Sequence, residues 1–192
     1  MSGKITLPDK KVQQRIAFFN EIRDIPFAII PSLFDPVVGP KKMMNIGKGS
    51  CSPKHFLLGA LFKKQGLKVR YVSYEFKFSD LCVNYPPVLR KLAKVLLNEY
   101  HLALNVFIDG KWILVDATWD QKLQKFGFPI NYWDGCSNTI NAIKPLNKVV
   151  HTTPLDRIEF ITKKKQSRTP RQLSLTKFFF EELNGWLEEA RK

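Results

Sequence analysis

Apolar positions along this chain recur with two different periods, and the switches between them mark out its elements. Over residues 9–23, Val12, Ile16, Phe19 and Ile22 return at helical spacing among Lys10, Lys11, Gln13, Gln14 and Arg15, which predicts an amphipathic helix. Pro26, Pro31, Pro36 and Pro40 each remove a backbone donor and disfavour helix at the preceding residue. The segment through Pro40 therefore reads as loop, continuing by Asn45, Gly47 and Gly49 as a flexible approach to the next helix. That helix opens at Ser52 and Pro53 and stops at Gly66, with Lys63 and Lys64 in its last turn. Phe56, Leu57, Leu58, Ala60, Leu61 and Phe62 fall on nearly every side of it, as suits a helix buried in a domain rather than laid on one.

Beyond Gly66 the run 68–78, rich in Val, Tyr and Phe, predicts a strand. Pro86 and Pro87 mark a loop, and Val88, Leu89, Leu92, Val95 and Leu96 an amphipathic helix ending near Asn98. Two further strands, 100–108 and 111–118, are joined by Asp109 and Gly110, a strong signal for a two-residue hairpin. That turn sets Ile108 opposite Lys111 and His101 opposite Thr118, so His101 lies diagonal to Asp116 on one face, together with Asn105 and Trp112. Leu102, Leu104, Val106, Ile108, Ile113, Val115 and Ala117 occupy the other face, which suits the core, and the polar face can look toward Cys51. From Asp120 to about residue 150 the chain reads as loop, with a turn at Trp133, Asp134 and Gly135, and residues 157–162 as an edge strand. After a basic linker, Leu175, Phe179, Leu183 and Trp186 predict a last helix with one apolar stripe. The expected class is α+β, a central helix packed on an antiparallel sheet.

Composition narrows the setting. With 192 residues and 44% hydrophobic content, the chain can bury one core, and residues 1–192 are expected to form a single domain with accessory helices at both ends. The opening residues are polar, and the apolar run 25–34 is short and broken by Pro26 and Pro31, so neither a signal peptide nor a membrane span is expected. Cys51, Cys82 and Cys136 are odd in number and lack a C-x-x-C pair, which argues against a disulfide framework or a zinc knuckle and for a reducing, cytoplasmic setting. The net charge of +14 admits an acidic partner. Its one local cluster, Lys163, Lys164, Lys165, Arg168 and Arg171, has no interleaved aromatics, so nucleic-acid binding is not indicated.

Cys51 sits where the Gly- and Lys-rich approach turns into the apolar helix. Unsatisfied N–H groups at a helix start favour thiolate over thiol and can also hold an oxyanion formed at the sulfur. A lone Cys is equally at home as a small buried hydrophobe. His101 and Asp116 supply a base and a carboxylate to orient it, the remaining parts of a Cys-His-Asp triad. Two weaker candidates accompany them. Asn45 could donate to an oxyanion or simply form a turn. His55, one helical turn after Cys51, could face the same cleft, but no third and fourth ligand stand at a recognisable spacing, so no metal is expected.

Taken together, GKGSCSPKHFLLGALFKKQGLKVRY, YHLALNVFIDGKWILVDATWD and, more loosely, NYWDG resemble the transglutaminase-like superfamily over about residues 45–135. The resemblance implies a papain-like α+β fold, with Cys51 as nucleophile, His101 as general base and Asp116 as orienting acid, and no cofactor. It implies acyl transfer from a peptide, protein or small amide or ester through a thioester, with water as acceptor in a peptidase or amidase and an amine in an acyltransferase. Many members carry Trp two residues after the His, where this chain has Ala103, so substrate contacts do not carry over. Without extra β-sandwich domains or a calcium loop, a calcium-dependent crosslinker is not implied. Two alternatives stay open: an arylamine N-acetyltransferase-like enzyme, which shares the Cys, His, Asp order, and a non-catalytic binding scaffold that keeps the triad.

Overall fold

In the computed structural model, which describes residues 9–192, the hairpin sets the frame. Asp109 and Gly110 both take positive φ, 48° and 79°, as a two-residue turn between right-twisted strands requires. Strand β2 (Glu99–Ile108) thereby pairs with β3 (Lys111–Val115) in the expected register, Ile108 with Lys111 and Leu104 with Val115. On its other edge β2 pairs with β1 (Lys68–Phe76), which in turn pairs with β4 (Asn147–His151). The sheet is antiparallel throughout, in the order β3-β2-β1-β4.

Six α-helices complete the described residues: α1 (Lys10–Arg23), α2 (Gly39–Ile46), α3 (Cys51–Lys64), α4 (Pro87–Val95), α5 (Pro154–Gln166) and α6 (Pro170–Ala190). Three depart from expectation. The Pro-rich loop ends early because Pro40 occupies the first turn of α2, where a missing N–H costs nothing, and Gly47, at φ 74°, closes the helix with its N–H on the Met43 carbonyl. The approach to Cys51 is pinned rather than flexible, since Gly49 exchanges backbone hydrogen bonds with Pro26 and Ala28. Residues 157–162 are helix, not edge strand: Thr153 and Asp156 form a capping box around Pro154, and that start signal outweighs the apolar content that follows. The edge strand is β4 instead. A second capping box, Thr169 with Gln172, starts α6 at Pro170 and brings it through the residues expected to be a linker.

Alternation along the strands sends side chains to two cores. Leu102, Leu104, Val106 and Ile108 face α1 and α3, packing with Phe19, Ile22, Phe56, Leu58 and Phe62. Val72, Tyr74, Phe76 and Ala103 face the other way, against Phe179, Leu183 and Leu187 of α6 and Leu89 and Ala93 of α4. The body of α3 thus lies on the face opposite His101, and the polar face does not look squarely at the helix. The meeting happens at an edge. Because β3 stops at Val115, β2 runs on unpaired on that side from residue 103 back to residue 99, and the first turn of α3 comes up against this open margin.

One cation is sealed inside this assembly. Lys54, on α3, has no exposed surface, and its Nζ donates to the carbonyls of Arg23 (2.9 Å) and Thr118 (2.8 Å). Burial lowers its pKa to about 7, with Asp120 pulling the other way. It ties α1 and α3 to the segment that follows β3. No helix among the described residues is long and apolar enough to cross a membrane.

Candidate active site

Three elements converge on the open margin of β2. Cys51 is the first residue of α3 and half-buried; His101 lies on β2; Asp116 is the first residue after β3. The Asp116 Oδ2 lies 2.8 Å from His101 Nε2, so the ring donates from Nε2 to the carboxylate. Cys51 is another polar neighbour, coupled to His101 by hydrogen bonding and charge. Burial alone would raise the Cys51 thiol, but His101, by hydrogen bond and charge, the Leu102 N–H and the charge of Arg157 together bring it below its ordinary value. Burial likewise disfavours a charged His101, yet Asp116 and Cys51 outweigh it and raise the imidazole to about 10. The two shifts run in opposite directions, the thiol downward and the imidazole upward, and each group contributes to the shift of the other.

Asp116 is fully buried and kept ionised by what surrounds it. Oδ2 also accepts from the Ala142 N–H at 2.8 Å, and Oδ1 from the Thr118 hydroxyl at 2.6 Å. Burial raises its pKa, and His101 with these donors more than reverses that, down to about 2. Its own backbone is clamped by the loop after Asp120: Asp116 N–H donates to Thr139 Oγ1, and Asn131 Nδ2 donates to the Asp116 carbonyl. Ala142, Thr139 and Asn131 were not foreseen as site residues. Only Asn131 carries a sequence signal, as the first residue of NYWDG.

The rest of VDATWD is consumed in fixing Asp116. Ala117 donates its N–H to His55 Nε2 at 2.9 Å; Trp119 donates Nε1–H to the Ala142 carbonyl and packs on Phe27 and Phe128. Asp120 accepts from the Phe27 N–H and from Arg191, joining the end of α6 to the motif.

The two weaker candidates fall outside the cleft. His55 is wholly buried behind Cys51: Nδ1 donates to the Cys51 carbonyl at 2.8 Å while Nε2 accepts from Ala117, so both nitrogens are occupied and no lone pair is left for a metal. It binds the first turn of α3 to the residue after Asp116. Asn45 sits exposed on α2, away from the thiol. Ser50 makes no side-chain cap, Pro53 has no N–H, and Lys54 N–H bonds the Ser50 carbonyl. The N–H groups of Cys51 and Ser52 are left without protein acceptors among the described residues, at the positive end of α3.

His55 carries a pH signature. Burial lowers its pKa to about 4 from the ordinary 6.5. The unfolded chain therefore takes up this proton first, so the contribution of neutral His55 is fully present above pH about 6.5 and is lost as pH falls toward about 4, a swing of about 3 kcal/mol. His55→Gln retains one donor and one acceptor and should flatten that slope, leaving the part due to His151, which burial also lowers. His55→Ala, which orphans two backbone groups, should cost about 2–5 kcal/mol. Urea midpoints measured from pH 4 to 8 on all three proteins check both statements; identical slopes in wild type and His55→Gln would refute the assignment.

Above the thiol lies a cleft of about 350 Å3, floored by Ser50, Cys51, His101 and Thr118, walled by Phe27, Ile29, Phe34, Phe76 and Phe78, and roofed by α5 and α6. No family model matches the chain, and no curated protein matches it. Among solved structures, one from Cytophaga hutchinsonii, described as a "putative cysteine protease", is similar over 76% of this chain at 17% identity, with a TM-score of 0.40. This chain covers 46% of that one, so it spans less than half of that protein's length.

Proposed function

We propose that the protein is a transglutaminase-like cysteine enzyme of papain-like architecture, transferring or hydrolysing an acyl group through a thioester at Cys51, with residues 45–135 as its core and the terminal helices as accessory elements. One observation supports this reading: a single imidazole, His101, is hydrogen-bonded through Nε2 to a buried carboxylate and is coupled to a thiol at an uncapped helix start. A structural histidine has no need of that combination. His55 next door shows the contrast, with both nitrogens spent on backbone.

The chemistry follows from the positions. The Cys51 thiolate attacks an amide or ester carbonyl, and the oxygen gains its negative charge facing the Cys51 and Ser52 N–H groups. As the tetrahedral centre collapses, the bond to the leaving group breaks and the proton on His101 Nδ1 passes to it. The resulting thioester is attacked by water or an amine, which gives its proton back to Nδ1; collapse expels the thiolate and restores the imidazolium. Asp116 keeps Nε2 protonated throughout and stabilises the positive ring. The substrate in this reading is a peptide, a protein or a small amide or ester.

Acylation needs only the first half of that sequence, so an activated ester tests it without the natural acceptor. Intact-mass spectrometry should show one hydroxylamine-sensitive adduct, mapped to Cys51 and absent from Cys51→Ala and His101→Ala. An adduct that survives His101→Ala would mark Cys51 as merely an accessible thiol, and no adduct from any ester on folded protein would favour a binding scaffold.

A further inference from the structure

Arg157 is a buried charge that the mechanism leaves unused. Arg157 opens the α5 face that roofs the cleft, followed on the same side by Ile161, Lys164 and Lys165. It is only 3% exposed, yet among the described residues no carboxylate pairs with it, its one hydrogen bond is a long one from Nη2 to the Tyr100 carbonyl at 3.5 Å, and its Nε has no partner. Glu99, the carboxylate whose charge acts on it, is already held by Arg168. Burial lowers the guanidinium to about 10, and the negative charges that favour it are Cys51 and Glu99. A desolvated guanidinium with a free donor edge is an unfinished interaction, since such groups persist when an anion completes them.

The cations around it point the same way. Lys164 and Lys165 also line the cleft, and neither has a carboxylate partner among the described residues; Lys165 lies over the Phe34 ring and Lys164 over Phe160. This is the basic cluster that stands out in the sequence, and the capping box at Thr153 turns part of it inward over the thiol. The rest of the lining is mainly apolar and aromatic, and its two acids, Glu99 and Glu181, are paired with Arg168 and Lys177. Such a site takes a short apolar group bearing one anionic end, held beside the reacting carbonyl.

We infer that the acyl donor carries a carboxylate close to the carbonyl that Cys51 attacks, and that the Arg157 guanidinium on the cleft wall receives it, with Lys164 and Lys165 adding charge at the rim. This rests on Cys51 being the nucleophile. The carboxylate can be an acidic side chain flanking the scissile bond or the α-carboxylate of a peptide terminus; the chemistry at Arg157 is the same. Arg157 is in this view a specificity residue, whose task is to position the donor.

Two alkylating reagents of nearly equal size separate this from a role in thiolate stabilisation alone. Iodoacetate carries the carboxylate and iodoacetamide does not. On folded wild type the ratio of their rates at Cys51, relative to the same ratio in the unfolded chain, should favour iodoacetate by at least about tenfold. Arg157→Gln should return the ratio to the unfolded value, and Arg157→Lys should keep part of it. If Arg157 served only the thiolate, Arg157→Gln would slow both reagents alike and the ratio would stand, which would overturn the proposal; so would a wild-type ratio equal to that of the unfolded chain, a measurement needing no variant. Protection from iodoacetamide by two blocked tripeptides at millimolar concentration then identifies the source, one carrying Glu with an amidated end, the other Gln with a free terminal carboxylate. Protection by either supports the site, and protection by neither counts against it. Iodoacetamide reacting with Cys51 no faster than with Cys82 or Cys136 would instead bring down the nucleophile, and the carboxylate site with it; fast iodoacetamide with no iodoacetate preference removes the site alone.

Discussion

Asp116→Asn should leave a folded protein whose Cys51 is acylated about 10³–10⁴-fold more slowly, the scale of loss seen when the orienting carboxylate of a catalytic triad becomes an amide. The carboxylate accepts from three donors: His101 Nε2, the Ala142 N–H and the Thr118 hydroxyl. An amide has one oxygen to offer. Placed toward His101 and Ala142 it satisfies both, and the amide NH2 then meets the Thr118 hydroxyl, which can rotate to accept. The fold survives at a cost of about 1–3 kcal/mol. What goes is the charge that holds the imidazolium, so the ion pair with Cys51 relaxes toward neutral thiol and neutral imidazole. Activated-ester acylation rates, read beside thermal melts, check this. A fall of less than tenfold in a protein of near wild-type melting temperature would mean that Asp116 does not serve His101 in the reaction.

At pH 6, iodoacetamide should alkylate Cys51 on the order of 10²-fold faster than Cys82 or Cys136, both of which are exposed. An ordinary thiol with pKa ~8.5 is only ~0.3% ionised there, whereas the hydrogen bond and charge of His101 lower the Cys51 thiol and raise its thiolate fraction, less what a weakly basic thiolate loses in nucleophilicity. The sign of the profile is fixed by which charge forms first. Lowering pH protonates the thiolate and removes reactivity at the acid limb. Raising it toward about 10 removes the His101 proton and frees a more basic thiolate, a second upward step. Amide acylation, which needs that proton for its leaving group, should decline over the same range. His101→Ala should move the acid limb upward, because burial then acts on Cys51 without the imidazole to oppose it. One shared step near pH 8.5 for all three cysteines would dispose of the ion pair.

The hairpin was legible because its cause is local. Asp109 and Gly110 tolerate positive φ, a two-residue turn leaves one register, and that register carries His101 and Asp116 to the same side; the pairs Ile108 with Lys111 and Leu104 with Val115 follow directly. The start of α3 is local as well. Where local signals competed, some readings failed. Pro40 marks a helix start as readily as a loop, and only packing around Gly39, whose added Cβ would lie 2.2 Å from the Leu33 carbonyl oxygen, shows why the chain turns there. The apolar content of residues 157–162 suited either period, and the capping box decided it.

The sequence by itself determined which residues could do chemistry and the hairpin that joins two of them, because turn conformations, helix starts and strand alternation depend on neighbours a few positions apart. Only the tertiary structure decided how the thiol reaches the imidazole, which is at the free margin of β2 that β3 leaves uncovered. It also decided that His55 is a strut and Asn45 a surface residue, that Asn131, Thr139 and Ala142 hold the carboxylate, and that the basic run after β4 roofs the cleft. Each of these depends on contacts between positions far apart along the chain, where burial and the need to satisfy polar groups select the partner and no sequence period records the choice.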